Sequence, residues 1–292
     1  MPDAAALAAQ VFTGLVIGGI LVLLAIGLSL IFGLMTVVNF AHGSFYMLGA
    51  YCGVVLFAVS GNFWLALVVT PVLVGALGIV VERVLIRRLY GRSIDDPLLL
   101  TFALSLVMVE TVRLVWGRIG LALDPPAGLA GAANLGFMYF PVYRLFVIAV
   151  TAAVLVGLWL FLHRTNVGLI IRAGSRDPLM TRALGVDLGR IWLLVFAIGT
   201  GIAGLAGILA GPMRGVYAEM GVTIIIESFV VVVVGGMGSL LGAVLSGLLI
   251  GQVVGLTTFF APKLAEIAVF VVMAVVLLVR PSGLFGEAGL ME

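Results

Sequence analysis

The sequence has few of the residues that catalysis and metal binding commonly use. Its 292 residues include one cysteine, Cys52, two histidines, His42 and His163, and one lysine, Lys263. A lone cysteine cannot build a disulfide framework, and no cluster of metal ligands stands out. No nucleophile stands beside a base, so we do not expect an enzyme. Lys263 lies outside any Gly-x-x-x-x-Gly-Lys-Ser/Thr pattern, so we expect the chain to bind no ATP and no other cofactor of its own.

Charged residues are scarce as well. They make up 10% of the chain, against 63% hydrophobic residues, a balance that water-soluble domains do not reach. The apolar stretches run for about 20 residues, the length a helix needs to cross a bilayer, and the alternating pattern of barrel strands is absent. The sequence predicts an all-α polytopic membrane protein, a single transmembrane domain over residues 1–292 with about eight membrane-spanning helices surrounded by lipid. Small residues at intervals of four predict close helix packing: Gly199, Ala203, Gly207 and Gly211, and Gly247, Gly251 and Gly255.

The basic residues fall into two groups that follow membrane spans. The groups are Arg83, Arg87, Arg88 and Arg92, and Arg164, Arg172, Arg176, Arg182 and Arg190. The positive-inside rule predicts that both groups are cytoplasmic. The stretch 117–141, rich in glycine and proline, is then an external loop, and the N-terminus is external. Because the arginines are not interleaved with exposed aromatic residues, we expect no nucleic-acid binding.

A short helix is predicted inside the cytoplasmic loop 164–190. Asp177 can accept hydrogen bonds from the free amides of a helix start, and Pro178 suits the first helical position. Gly185 can adopt the positive φ of a helix stop. The predicted helix is far shorter than the about 12 to 15 residues that an isolated helix needs for stability in water. Another surface must therefore hold it.

The predicted helix has an apolar face that could dock. The face is formed by residues that repeat at i, i+4, namely Leu179, Met180, Ala183 and Leu184. Thr181 and Arg182 point elsewhere. Burying one leucine stabilises by about 1.5 to 3 kcal/mol, so docking of this face into a groove would fix the helix. The alternative is a loop helix that lies on its own membrane domain, with arginines that only set the topology.

A break in the helical pattern at residues 39–43 is a candidate lining of a solute path. Asn39, His42 and Gly43 interrupt an apolar run, and Ser44 is a candidate N-cap of the next helix. Irregular backbone at membrane depth is tolerated only where protein or a water-filled cavity satisfies it. His42 is either a group on the path or a neutral histidine bonded to the backbone that the break frees.

A second interrupted segment covers residues 222–239. Only about 15 residues separate Gly221 from Gly235, and at about 1.5 Å per residue a helix of that length is too short to cross the bilayer. The helix is expected either to begin earlier, near Gly215, or to be re-entrant. Glu227 in this segment is either a carboxylate on the path or a buried partner of Arg214.

The two interrupted segments resemble each other. Gly43 and Ser44 begin one glycine-spaced helix, and Gly238 and Ser239 begin another, preceded by Gly235 and Gly236. Matching breaks in two halves predict an internal repeat with a substrate path between the halves, on which these glycines would lie. The alternative is that glycine-rich membrane helices look alike by composition.

Several stretches together make the sequence similar to a known family. They are NFAHG at 39–43, ERV at 82–84, the run from Gly168 through RAGSRDPLMTRALGVD to Gly211, VVVVGGMGS at 231–239, and RPSGLFG at 280–286. Over almost its whole length the chain resembles the LivH-type permeases of bacterial ABC importers for branched-chain amino acids.

This resemblance implies a multi-pass subunit of the bacterial inner membrane. In that family a second, LivM-like permease pairs with the first, two ATPase subunits below bind the ATP, and an external binding protein delivers a small amino-acid substrate. By position, Asp177–Gly185 would be the coupling helix. Importers of urea and amides share the pattern, so the substrate stays open. The residues alone also allow an ion-coupled secondary transporter that stands alone, which would need intramembrane carboxylates and no apolar cytoplasmic helix.

Overall fold

A computed structural model describes residues 4–93, 95–136 and 138–286. The helices are α1 (Ala4–Met35), α2 (His42–Ser60), α3 (Phe63–Val84), α4 (Asp95–Trp116), α5 (Val142–Arg164), α6 (Asn166–Arg176), α7 (Pro178–Ala183), α8 (Leu188–Arg214), α9 (Met220–Gly235), α10 (Leu240–Phe260) and α11 (Ala265–Val279). A small antiparallel hairpin of β1 (Ala132–Asn134) and β2 (Tyr139–Pro141) lies between α4 and α5. Within the described ranges, 8 helical segments are long and apolar enough to cross a membrane. The predicted all-α polytopic fold is confirmed.

Small residues bring the central helices together. A Cβ atom at Gly251 would lie 2.3 Å from the Cα of Gly18, so α1 and α10 touch backbone to backbone. A Cβ atom at Gly207 would lie 2.0 Å from the carbonyl oxygen of Tyr46, which joins α8 to α2 in the same way. Without a hydrophobic driving force in lipid, such close van der Waals packing holds helices together. The predicted packing faces are therefore used at the centre of the bundle.

Both arginine groups lie at one end of the bundle, which we call the arginine-rich end. Arg87 Nη2 approaches Gly189 at the start of α8, and the guanidinium of Arg182 lies over the ring of Trp192. At the opposite end, Leu121 and Val216 form a β-bridge between the loops. This arrangement agrees with the expectation that the two groups face one compartment, and the cytoplasmic side remains a prediction.

The first break has a different helix start from the predicted one. α1 ends at Met35, and α2 already begins at His42 with Ala41 as its N-cap residue. The prediction that Ser44 caps this helix is wrong, because the Asn39 carbonyl accepts from the His42 amide and starts the helical turn earlier. The Ser44 hydroxyl instead points towards the Ser105 carbonyl on α4, at 3.5 Å.

The second segment is broken and does not turn back. α8 ends at Arg214, and its C-cap residue Gly215 has a φ of 73°. The backbone of Val216 then forms the bridge to Leu121, and α9 begins at Met220. The expectation of a helix start near Gly215 is therefore wrong. At its other end α9 reaches the arginine-rich end, where the amides of Leu284 and Phe285 donate to its last carbonyls. The segment thus consists of a short non-helical piece and a helix of 16 residues that together run between the two ends of the bundle.

Candidate functional site

A short helix lies where the sequence predicts it. In α7 the Oδ1 atom of Asp177 accepts the Met180 amide at 2.8 Å, and Pro178 occupies the first turn. Gly185, with φ of 85°, ends the turn that follows. The side chain and backbone of these residues therefore set both ends of the helix locally.

The apolar face of α7 points away from the rest of the protein. Leu179 is 79% exposed, Met180 59% and Leu184 77%, and Ala183 is exposed beside them. The face therefore does not lie on its own membrane domain, as the alternative interpretation required. A contiguous apolar surface at the arginine-rich end is the kind of surface that binds another protein.

The opposite face of α7 holds it to the membrane helices. Thr181 is buried, and its hydroxyl donates to the Asp177 carbonyl at 2.7 Å. The guanidinium carbon of Arg182 lies 5.1 Å from the ring centroid of Trp192 on α8, in cation–π geometry. Arg182 lies in the predicted coupling helix but was expected to point away from its docking face, and it faces its own chain.

Trp192 continues this contact into the bundle. The Tyr90 ring meets the Trp192 ring edge-on, with centroids 4.7 Å apart. The Tyr90 hydroxyl donates to Glu82 Oε1 at 2.6 Å, and Glu82, on α3, is fully buried. Burial, together with the hydrogen bond to Glu82, holds the pKa of Tyr90 well above its usual range, so the hydroxyl remains a donor. We call Arg182, Trp192, Tyr90 and Glu82 the seat of α7.

Sequence reasoning missed the seat and the helix next to it. Glu82 and Tyr90 come from the end of α3 and the turn after it, and Trp192 comes from α8, so no local pattern links the three. For α6 a signal was present: the hydroxyl of Thr165 caps the helix by accepting the Gly168 amide at 3.0 Å. Val167, Ile170 and Ile171 also have the spacing of an amphipathic helix, with Ile171 buried.

Asn39 and His42 lie in the core beside the first break. Both are fully buried, and none of their side-chain nitrogen and oxygen atoms has a hydrogen-bond partner of normal distance and angle among the described residues. The His42 ring fits because Gly27 has no side chain: a Cβ atom there would lie 3.0 Å from Nε2. The Leu24 backbone is a nearby hydrogen-bonding group for the His42 ring, which favours a histidine bonded to backbone. Because buried polar atoms are nearly always paired, water or a solute is the expected partner of Asn39.

The other candidate path residues lie against different elements. Gly43 abuts Gly221 at the start of α9, where a Cβ atom would lie 2.1 Å from the Gly221 carbonyl oxygen. Gly235 packs on α10, Gly236 on the tail at 282–286, and Gly238 on the end of α1. Glu227 is half-buried, and no ion pair joins it to Arg214 within the described ranges. Whether these residues line a path remains a prediction.

The N-cap of α7 gives a testable prediction. Asp177→Ala removes the acceptor of the Met180 amide, which costs about 0.5 to 2 kcal/mol of helix stability. We expect weaker binding of a partner protein to the apolar face of α7, together with faster hydrogen exchange over residues 178–184. Asp177→Asn keeps an acceptor and should exchange like the parent. Equal exchange in the alanine and asparagine variants would contradict a capping role.

Comparisons with known proteins agree with the geometry. The family described as "Branched-chain amino acid transport system / permease component" matches residues 10–280. The chain is 30% identical to the high-affinity branched-chain amino acid transport system permease protein BraD of Pseudomonas aeruginosa, over 98% of each chain. It is 28% identical to the permease protein LivH of Escherichia coli K12 over 95% of each. It is 27% identical to LivM of the same organism, over 79% of this chain and 60% of LivM. No solved structure matches the chain.

Proposed function

Because the chain belongs to the family of permease components of branched-chain amino acid transport systems, we propose that it moves branched-chain amino acids into the cytoplasm as the permease subunit of an ATP-driven importer. One observation carries this proposal: α7 is anchored by the Arg182 contact to Trp192, and it presents Leu179 and Leu184 outwards. A helix held in this way can transmit the movement of a separate motor.

The proposed partners follow from that outward face and from the relatives. Two ATPase subunits would bind ATP and receive the α7 helices at the arginine-rich end, since the chain has no phosphate-binding loop of its own. The similarity to both LivH and LivM supports a second, related permease beside this one. An external binding protein would deliver substrate to the opposite end. The assembly would lie in a bacterial inner membrane.

The substrate is tested most simply in proteoliposomes that hold the complete importer. We expect uptake of labelled leucine, isoleucine or valine that requires ATP inside and the binding protein outside. Uptake of urea or an amide in place of these amino acids would instead assign the chain to an importer of urea or amides. Uptake driven by an ion gradient, with the ATPases omitted, would overturn it in favour of a secondary transporter.

Asn39 gives the sharpest test of the proposed path. Its buried amide has no partner among the described residues, and such a group costs about 1 to 3 kcal/mol. Asn39→Leu should therefore leave the fold at least as stable as the parent. If Asn39 borders the path, uptake should fall by about tenfold, equivalent to about 1.4 kcal/mol.

The matched control for this prediction is Ser29→Ala, which removes another buried, unpaired polar atom, on α1. Uptake should be unchanged in this variant. Assembly and basal ATP hydrolysis should be unchanged in both variants. Normal uptake by Asn39→Leu would show that the segment NFAHG at 39–43 serves helix packing and does not border the path.

A further inference from the structure

A membrane-facing cleft lies at the arginine-rich end between α1, α5 and α10. It encloses about 450 Å³. Ile26 contributes from α1, Leu155 and Leu162 from α5, and Leu240 and Val244 from α10. His163 is the one ionisable side chain among the lining residues, and it lies at the cytoplasmic end of α5 by the predicted topology. An apolar cleft with one polar rim has the chemistry of a site for an amphipathic molecule.

The rim of the cleft has the features of a membrane–water interface. The rings of Trp159 and His163 are stacked, with centroids 4.9 Å apart, and His163 Nδ1 lies 3.0 Å from the Trp159 carbonyl oxygen. With Nδ1 donating to that carbonyl, Nε2 points to a ligand, and it can donate to an anionic group when the ring is in its imidazolium form, in which both nitrogens carry a proton. Tryptophan is enriched where the headgroups of a bilayer begin. Trp159 is 52% exposed and covers one side of the opening.

The chain after the cleft is positively charged. The stretch 164–176 contains Arg164, Arg172 and Arg176 and no acidic residue. The ion pairs within the described ranges involve Arg113 and Arg190 only, so Arg164 and Arg172 have no carboxylate partner there. α6, which carries Arg172 and Arg176, buries Ile171 and exposes its polar side, as helices at a membrane surface do.

We propose that this cleft is a binding site for an anionic phospholipid of the cytoplasmic leaflet. An acyl chain lies between α1, α5 and α10, and the phosphate headgroup lies at His163 and Arg164. The occupant follows from three features together: an aliphatic lining, an aromatic rim at headgroup level, and an adjacent stretch with unpaired positive charge. Basic pockets between transmembrane helices on the cytoplasmic side bind such headgroups.

The test is native mass spectrometry of the intact importer complex with phosphatidylglycerol, cardiolipin or phosphatidylcholine. We expect the two anionic lipids to be retained in preference to phosphatidylcholine. Arg164→Gln should reduce that retention about fivefold. Leu241→Trp, a change at the 60% exposed mouth of the cleft, should abolish retention of all lipids at this site.

Two matched controls lie elsewhere on the surface. Val68→Trp places the same side chain on α3 at a position that is 67% exposed, outside the cleft, and Arg118→Gln removes a charge near the opposite end. Both should retain anionic lipid like the parent. Equal retention of all lipids, or equal losses in Leu241→Trp and Val68→Trp, would overturn the proposal. Loss of the second permease in Leu241→Trp with lipid retention unchanged would also overturn it, because the cleft would then be a subunit contact.

Discussion

Leu184→Asp is expected to abolish ATP-driven uptake by the reconstituted importer and to release its ATPase subunits. Leu184 is 77% exposed on the outward face of α7, so the free permease tolerates a carboxylate there. In the proposed complex the same carboxylate would be buried without a partner, which costs several kcal/mol. The defect should therefore appear only on assembly. The measurement is the fraction of permease that retains ATPases in mild detergent, alongside uptake.

The control for this prediction is Leu184→Met, which keeps the volume and apolar character of the face. It should assemble and transport like the parent. The thermal stability of the permease alone should be the same for both variants. Leu184→Asp complexes that assemble and couple normally would show that α7 has no role at the ATPase interface.

Trp192→Ala is expected to separate ATP hydrolysis from transport. The Trp192 ring lies between Arg182 of α7 and Tyr90, which donates to the buried Glu82 of α3. Without that ring, α7 keeps its outward face and the buried Thr181 but loses the contact of Arg182 with α8. We therefore expect the ATPases to remain bound and to hydrolyse ATP, while uptake per ATP falls by about tenfold or more.

Two further variants define the seat. Trp192→Phe keeps an aromatic face for Arg182 and should retain most of the coupling. Tyr90→Phe leaves the Glu82 carboxylate buried without its one donor, since Glu82 Oε2 already has no partner among the described residues. It should therefore lower both stability and coupling. Normal uptake per ATP in Trp192→Ala would contradict a transmitting role for the seat.

The features that could be predicted from the sequence are those with local causes. Asp177, Pro178 and Gly185 set the ends of α7 through their own backbone and side-chain chemistry. The i, i+4 spacing correctly grouped Leu179 with Ala183 on one face. The small residues at intervals of four, such as Gly251 opposite Gly18, predicted the packing surfaces. Helices in lipid associate through van der Waals contacts, and small residues allow their backbones to approach closely.

The features that could not be predicted depend on contacts between distant parts of the chain. Glu82 reads as part of a charged helix end, yet Tyr90 and the packing of α3 bury it completely. The start of α9 depends on the bridge between Leu121 and Val216, and the start of α2 on the turn that Asn39 makes. The contact of Arg182 with Trp192 joins α7 to α8 and has no local signal in the sequence.

The central claim is that the outward face of α7 contacts an ATPase subunit, and photo-crosslinking tests it most directly. Benzoylphenylalanine would replace Leu184 in the assembled importer, and Val68 on the lipid-facing surface of α3 in a control. We predict an ATPase adduct from position 184 and none from position 68. Efficient photoreaction at position 184 that yields adducts with its own chain or with lipid, and none with the ATPase, would contradict the account.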